Sequence, residues 1–214
     1  MSQAKLDQKA VKSKSEKIIL EAGGSISDSL PDLDYSSIRP REAIVSRALI
    51  LNALLQIAFN NPTEFVETWL EDKELLEQLT AWERSVLARN NHELSEEEIN
   101  RLFSYMESLW ALLWVGSMVD DLCFEFPVGE SCASLCPNLK VHEDGSKLWN
   151  KMKLRDFDEV YAMLDLYYRL HWSARDAESN DYDSAVDADI VIERRRALEW
   201  ALSGCGWDEV ELRL

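Results

Sequence analysis

The chain has 214 residues, 46% of them hydrophobic, with 40 Asp and Glu against 23 Lys and Arg and a formal net charge of −17. That apolar fraction suffices for a packed core and excludes a disordered chain. The acidity argues against direct nucleic-acid binding, which needs Lys and Arg on phosphates, and no run approaches the ~18 apolar residues of a membrane span.

Glycine is scarce, with 7 residues, and tryptophan abundant, with 8. Few breakers among long apolar-periodic runs predict helix throughout. Residues 1–20 hold five lysines against Asp7 and Glu16, so the net charge of −17 divides into a tail of +3 and a body of −20. The tail, residues 1–24, reads as a solvated basic N-terminal extension ending at Gly23-Gly24, and residues 25–214 as a single helical domain. No secretory signal follows the lysines. Four cysteines without an export signal then read as reduced, inert thiols in a cytoplasmic protein.

From Pro40 to Phe59 the apolar residues cover most faces, which predicts a central helix stopped by Asn60-Asn61-Pro62. A short helix follows from Thr63 to about Leu76. Thr80-Ala-Trp-Glu83 and Ser95-Glu-Glu-Glu98 are capping boxes, each opening a helix. The second helix runs to about Met118 with an apolar stripe of Ile99, Phe103, Met106, Trp110, Leu113 and Trp114. Residues 119–150, richer in Pro, Gly and Cys, predict an irregular connector with one short helical turn at most. Helices over 156–177 and 188–202 complete the chain, the last closed by Gly204 and Gly206. The expected architecture is all-α: a compact bundle of about six to eight helices.

Charged residues on apolar faces are the informative positions. On the last helix Arg194 falls in the middle of the arc of Ile190, Val191, Ala197, Leu198, Ala201 and Leu202, while Arg195 and Arg196 fall outside it. A guanidinium there needs carboxylate or carbonyl partners. Glu107, at the edge of the Phe103–Trp110–Trp114 stripe, is the candidate partner, as a buried tie or as a catalytic carboxylate. The helix carrying Tyr168-Arg-Leu-His-Trp-Ser-Ala-Arg175 has a second face of Tyr161, Asp165, Tyr168, Trp172, Arg175 and Asp176, flanked by Arg169. That face fits either a buried seam or a polar pocket. His171 lacks any nucleophile motif beside it, and His92 and His142 lie in polar loops. The loop Asp176–Asp187 has Asp181 where an EF-hand needs Gly and Asp187 where it needs Glu. The cysteine spacing is not that of a zinc site. No metal and no cofactor is expected, and P-loop, GxGxxG and HExxH signatures are absent.

Several segments in order resemble a family of bacterial proteins, the domain-of-unknown-function family numbered 4272. They are Ile38-Arg-Pro-Arg-Glu-Ala-Ile44 with Arg47-Ala-Leu-Ile-Leu51, Leu79-Thr-Ala-Trp-Glu83, Glu107-Ser-Leu-Trp110-Ala-Leu-Leu-Trp114, Tyr168-Arg-Leu-His-Trp172, Val191-Ile-Glu-Arg-Arg-Arg-Ala-Leu-Glu-Trp200 and Trp207-Asp208. The resemblance spans roughly residues 30–210. It implies a compact helical bacterial protein and carries no activity. The residues it matches are Arg47, Glu83, Glu107, Arg169, His171, Trp172, Glu193, Arg194, Trp200, Trp207 and Asp208. Similar proteins often end in Asp-Thr shortly after Trp-Asp, whereas this chain has Leu212-Arg213.

Two functions compete. One is a binding or regulatory module, of immunity- or antitoxin-like type, whose acidic surface meets a basic protein partner; the membrane is not a partner and homo-oligomers stay open. The other is an enzyme or small-ligand binder with an inter-helix pocket formed from Glu107, Arg169, His171, Trp172, Arg175 and Arg194.

Overall fold

A computed structural model describes residues 6–129 and 131–214, and among these the chain forms nine α-helices and no strand. They are α1 (Gln8–Glu21), α2 (Arg41–Ala58), α3 (Thr63–Asp72), α4 (Ala81–Leu87), α5 (Glu96–Val115), α6 (Ser131–Leu135), α7 (Ser146–Lys151), α8 (Phe157–Ser179) and α9 (Ala188–Leu202). The starts of α4 and α5 are fixed by the two capping boxes: Thr80 accepts from the Glu83 amide at 3.2 Å and Ser95 from the Glu98 amide at 3.2 Å. In each the glutamate reaches back to the cap amide, so two orphan donors of the first turn are satisfied.

Helix α2 is central because Ile44 through Leu55 are all buried, on every face. It packs on α5, α5 on α9, α9 on α8, and α8 on α1, with α3 and α7 against α2. Such all-round burial leaves no exit for polar side chains, so those on α2 must find partners inside. Asn52 Nδ2 donates to the Pro137 carbonyl at 3.1 Å, which pins the connector to the central helix.

Three expectations need correction. The basic tail is not merely solvated: α1 lies along α8 with Ile19 fully buried and Ser15 nearly so. Gly23 takes φ +85°, and a Cβ on Gly24 would lie 2.7 Å from Ser173 Oγ, so the glycine pair lets the chain turn and cross α8 closely. The connector contains α6, α7 and a 3-10 turn at Leu139–Val141 rather than one short turn. On α5 the core face is Leu102, Tyr105, Leu109 and Leu112, whereas Phe103 is 38% exposed. Both flanks of α5 are apolar, and α2 and α9 cover it from two sides, so a single-stripe reading rotated the helix. No described helix is long and apolar enough to cross a membrane.

Candidate functional site

Helix α9 lies between α5 and α8, and its successive arginines face these two neighbours. Arg194, with no exposed surface, points to the α5 side. Its Nε donates to Glu107 Oε2 at 2.7 Å, Nη1 to Tyr167 Oη at 3.1 Å and the Cys123 carbonyl, and Nη2 to the Phe126 carbonyl at 2.9 Å. Glu107 Oε1 accepts from the Val128 amide at 3.0 Å. Burial works against the Arg194 charge, yet Tyr167 and Glu107 hold its pKa above the ordinary arginine value. Burial also pushes the Tyr167 phenol up to about 12, against the pull of Arg194. The ion pair is therefore a clamp: it gathers three backbone groups between Cys123 and Val128 and fastens the connector to α5, α8 and α9.

Arg195 is 1% exposed, although it falls outside the apolar arc. The reason is that α9 has two buried sides, one on α5 and one on α8. Its Nη1 meets His171 Nδ1 at 2.7 Å, its Nη2 donates to the Arg213 carbonyl at 2.7 Å, and its guanidinium stacks on Tyr168 at 4.8 Å. Because the arginine only donates, Nδ1 of His171 must accept, which fixes a neutral ring with its proton on Nε2. Burial and the Arg195 charge lower the His171 pKa from 6.5 to about 4. Arg195 Nη2 also donates to Glu199 Oε1 at a long 3.4 Å, whereas Nε, 3.4 Å from Glu199 Oε2, is misaligned and neither of those two atoms makes a hydrogen bond. Burial raises the Glu199 pKa and lowers that of Arg195, in both cases against the mutual attraction of the pair. Tyr35 donates to Glu199 Oε1 at 3.3 Å, and burial with this neighbour raises its phenol. One turn away Asp165 takes two hydrogen bonds from Arg169, at 3.0 and 2.9 Å, and both are 2% exposed.

A fourth buried pair joins α2 to α4. Arg47 Nη1 donates to Glu83 Oε1 at 2.8 Å and Nη2 to the Gln78 carbonyl at 2.8 Å, while Tyr105 Oη donates to the same glutamate at 3.2 Å. Elsewhere arginines satisfy carbonyls of helix C-terminal turns and of the loops that follow: Arg39 those of Trp200 and Cys205, Arg41 those of Trp149 and Met152, Arg155 those of Trp114, Val119 and Asp120. The rigid five-donor fork suits that task better than lysine. Five of the eight tryptophans carry an arginine over the ring, closest for Arg101 on Trp82 at 3.7 Å and Arg39 on Trp200 at 4.3 Å. The tryptophans thus serve as stacking platforms for arginines, of which only Arg47 is itself buried.

The six candidate ligand-binding residues occupy three places. Glu107 and Arg194 form the connector clamp. Arg169 and His171 lie in the buried α8 layer with Asp165 and Arg195. Trp172 is half-buried and Arg175 exposed, and both open on a cleft of about 630 Å³ shared with Leu30, Pro31, Asp176 and Leu212. The polar face of α8 is thus a buried seam along Tyr161, Asp165 and Tyr168 and an open wall from Trp172 on. His92 and His142 are exposed, and all four cysteines are free.

A second cleft, of about 510 Å³, lies between α2, α5 and the connector, with Leu55, Phe59, Met106, Leu109 and Val128 in its walls. Phe59 is 50% exposed and stacks edge-on against Phe103 at 5.4 Å; Phe126, two residues from Val128, is 67% exposed. Sequence reading placed Phe59 and Phe103 in the core. Their signal was ambiguous because an apolar residue at helical spacing fits a core stripe and a surface ridge equally well. Glu83 and Arg195 were missed as buried charges, the first because its capping role accounts for a glutamate there.

The model of the domain of unknown function DUF4272 matches residues 11–210. The chain belongs to that family. No curated protein and no solved structure matches it. Within this DUF4272 chain the residues quoted for the resemblance gather around the buried charge pairs. Arg47 and Glu83 form one pair, Glu107 and Arg194 a second, and Trp200 and Trp207 pack edge to face at 5.4 Å beside Arg47.

Proposed function

We propose that this DUF4272 protein is a binding module for a basic protein, which it takes at the aromatic-edged cleft between α2, α5 and the connector. The observation that carries this reading is the exposure of Phe59, which lines an apolar cleft with Leu55, Met106, Leu109 and Val128 and stacks on the exposed Phe103. Aromatic anchors beside a concave apolar wall are the anatomy of an interface centre. Charge adds direction: with Arg47, Arg169, Arg194 and Arg195 buried, exposed acidic residues outnumber exposed basic ones by about three to one among the described residues. A surface of that sign steers a basic partner and repels acidic ones. An immunity-like role, in which docking neutralises a basic effector, is the form of this reading that the acidity favours.

The enzymatic alternative has less support, because Glu107, Arg169, His171 and Arg194 are each engaged by intramolecular partners and belong to separate layers. The test is affinity purification from the source organism at low and moderate salt, with the wild type beside a Phe59→Ser/Phe103→Ser variant. A basic protein retained by the wild type and lost with the variant is expected. Absence of any specific partner, or equal capture by the variant, overturns the reading.

A further inference from the structure

A smaller cavity, about 330 Å³, lies where α5, α9 and the 3-10 turn Trp207–Glu209 meet. Its walls are Arg101, Tyr105, Glu193, Arg196, Trp207 and Asp208. The size falls at the small end of the range for ligand pockets, about 300–1,000 Å³. It lies outside the aromatic-edged cleft and the Trp172 cleft.

The aromatic walls are held from behind. Tyr105 is anchored through its hydroxyl to Glu83, and Trp207 is packed edge-on against Tyr105 at 6.4 Å and Trp200 at 5.4 Å, under the Arg47 guanidinium at 5.1 Å. Both rings are buried, at 2 and 3% exposure, so the floor is rigid before any ligand arrives. The charged rim is only partly engaged. Asp208 Oδ1 accepts from Arg101 at 3.1 Å, and its other oxygen has no donor among the described residues. Arg101 is itself fixed on the Trp82 ring. Glu193 Oε2 accepts from Ser108 at 3.0 Å, and its Oε1 lies 3.5 Å from Arg196 Nε. The two terminal nitrogens of Arg196 donate to nothing among the described residues.

The cavity thus presents the solvent-reached end of the Arg196 guanidinium and one oxygen of Asp208, beside the small exposed edges of Tyr105 and Trp207. A phosphate dianion would meet the carboxylates of Glu193 and Asp208 at close range; a metal cation would meet two guanidiniums. A small molecule with both charges satisfies both sides, its carboxylate on Arg196 through charge-assisted hydrogen bonds and its ammonium on Asp208. We propose that this cavity binds a small zwitterion of the free α-amino acid class.

The experiment is calorimetric titration and thermal denaturation of the full chain with the free amino acids as probes. Beside each stand its N-acetyl derivative, which lacks the ammonium, its amide, which lacks the carboxylate, and inorganic phosphate. At least one amino acid should bind and raise the melting temperature, and its two blocked derivatives and phosphate should not. Arg196→Gln and Asp208→Asn, both at solvent-reached positions, should keep the wild-type melting temperature without ligand and weaken binding about tenfold or more. Binding of no free amino acid, equal binding of the blocked derivatives, or unchanged affinity in both variants overturns the proposal. Because the cavity and the Phe59 cleft share no residue, loss of ligand binding and loss of partner capture are separable results.

Discussion

Arg194 and Arg195 are neighbours on one helix, equally buried, and differ in almost everything else. On the α5 side, Arg194 has carboxylate, phenol and carbonyl acceptors arranged around its fork, and its charge is held more firmly than in water. On the α8 side, Arg195 shares its donors among a neutral imidazole, a carbonyl and a carboxylate reached by one long hydrogen bond of 3.4 Å, and its Nε has no partner. Burial alone therefore says little about what a charge contributes. Saturation of its donors decides whether it is a clamp or a soft spot.

The comparison can be broken most directly at the clamp. Arg194→Ala should lower unfolding stability by about 3–5 kcal/mol, because Glu107 and the connector carbonyls lose their partner together. Glu107→Ala should cost a similar amount, and the double variant less than the sum, as read by urea denaturation. A loss below about 1 kcal/mol from both would sink the clamp.

Arg195 should behave differently. Replacing the pair at once, as Arg195→Met with Glu199→Leu, is expected to be neutral or stabilising within about 1–2 kcal/mol, since an imperfectly satisfied buried pair gives little back for its desolvation. A large loss from that double variant would show that the two sides of α9 are energetically alike.

Acid should find the soft side first. The His171 pKa is depressed from 6.5 to about 4, so between those values the unfolded chain takes a proton that the native ring refuses, and stability falls as the pH falls. The raised Glu199 pKa acts in the opposite sense, its penalty being present at neutral pH and fading with acid. His171→Gln should flatten the decline of melting temperature between pH 6.5 and 5, above the range where ordinary carboxylates titrate. An unchanged slope would contradict the accepting role of Nδ1. The smallest effect belongs to the third arginine of the run. Arg196, half-exposed beside Glu193, should cost under about 1 kcal/mol when changed to Ala.

Legibility in the sequence followed the same division. The all-α class, the boundaries of α2, α5 and α9 and the Glu107–Arg194 pair were readable, because one charged residue in the middle of an apolar arc has few explanations. Arg195 was not readable: a helical wheel assumes one buried side, and α9 has two. The rotation of α5 was lost for the same reason, since apolar residues surround most of that helix. Glu83 hid behind its capping box, which accounts for the residue type without revealing that Arg47 crosses from α2 to meet it. The α1 docking on α8 was hidden by five lysines, although Ile18 and Ile19 already supplied an apolar edge.

The connector clamp has a consequence in time as well as in energy. Its acceptors at Cys123 and Phe126 lie 71 and 68 residues from Arg194, and Glu107 lies 87 away. Such contacts cannot form until α5, α8 and α9 have assembled, because closing so long a loop brings no return before its partners are placed. Residues 119–129 should therefore order last during folding and open first in native-state hydrogen exchange. Their amides should exchange by a route that leaves the helices protected.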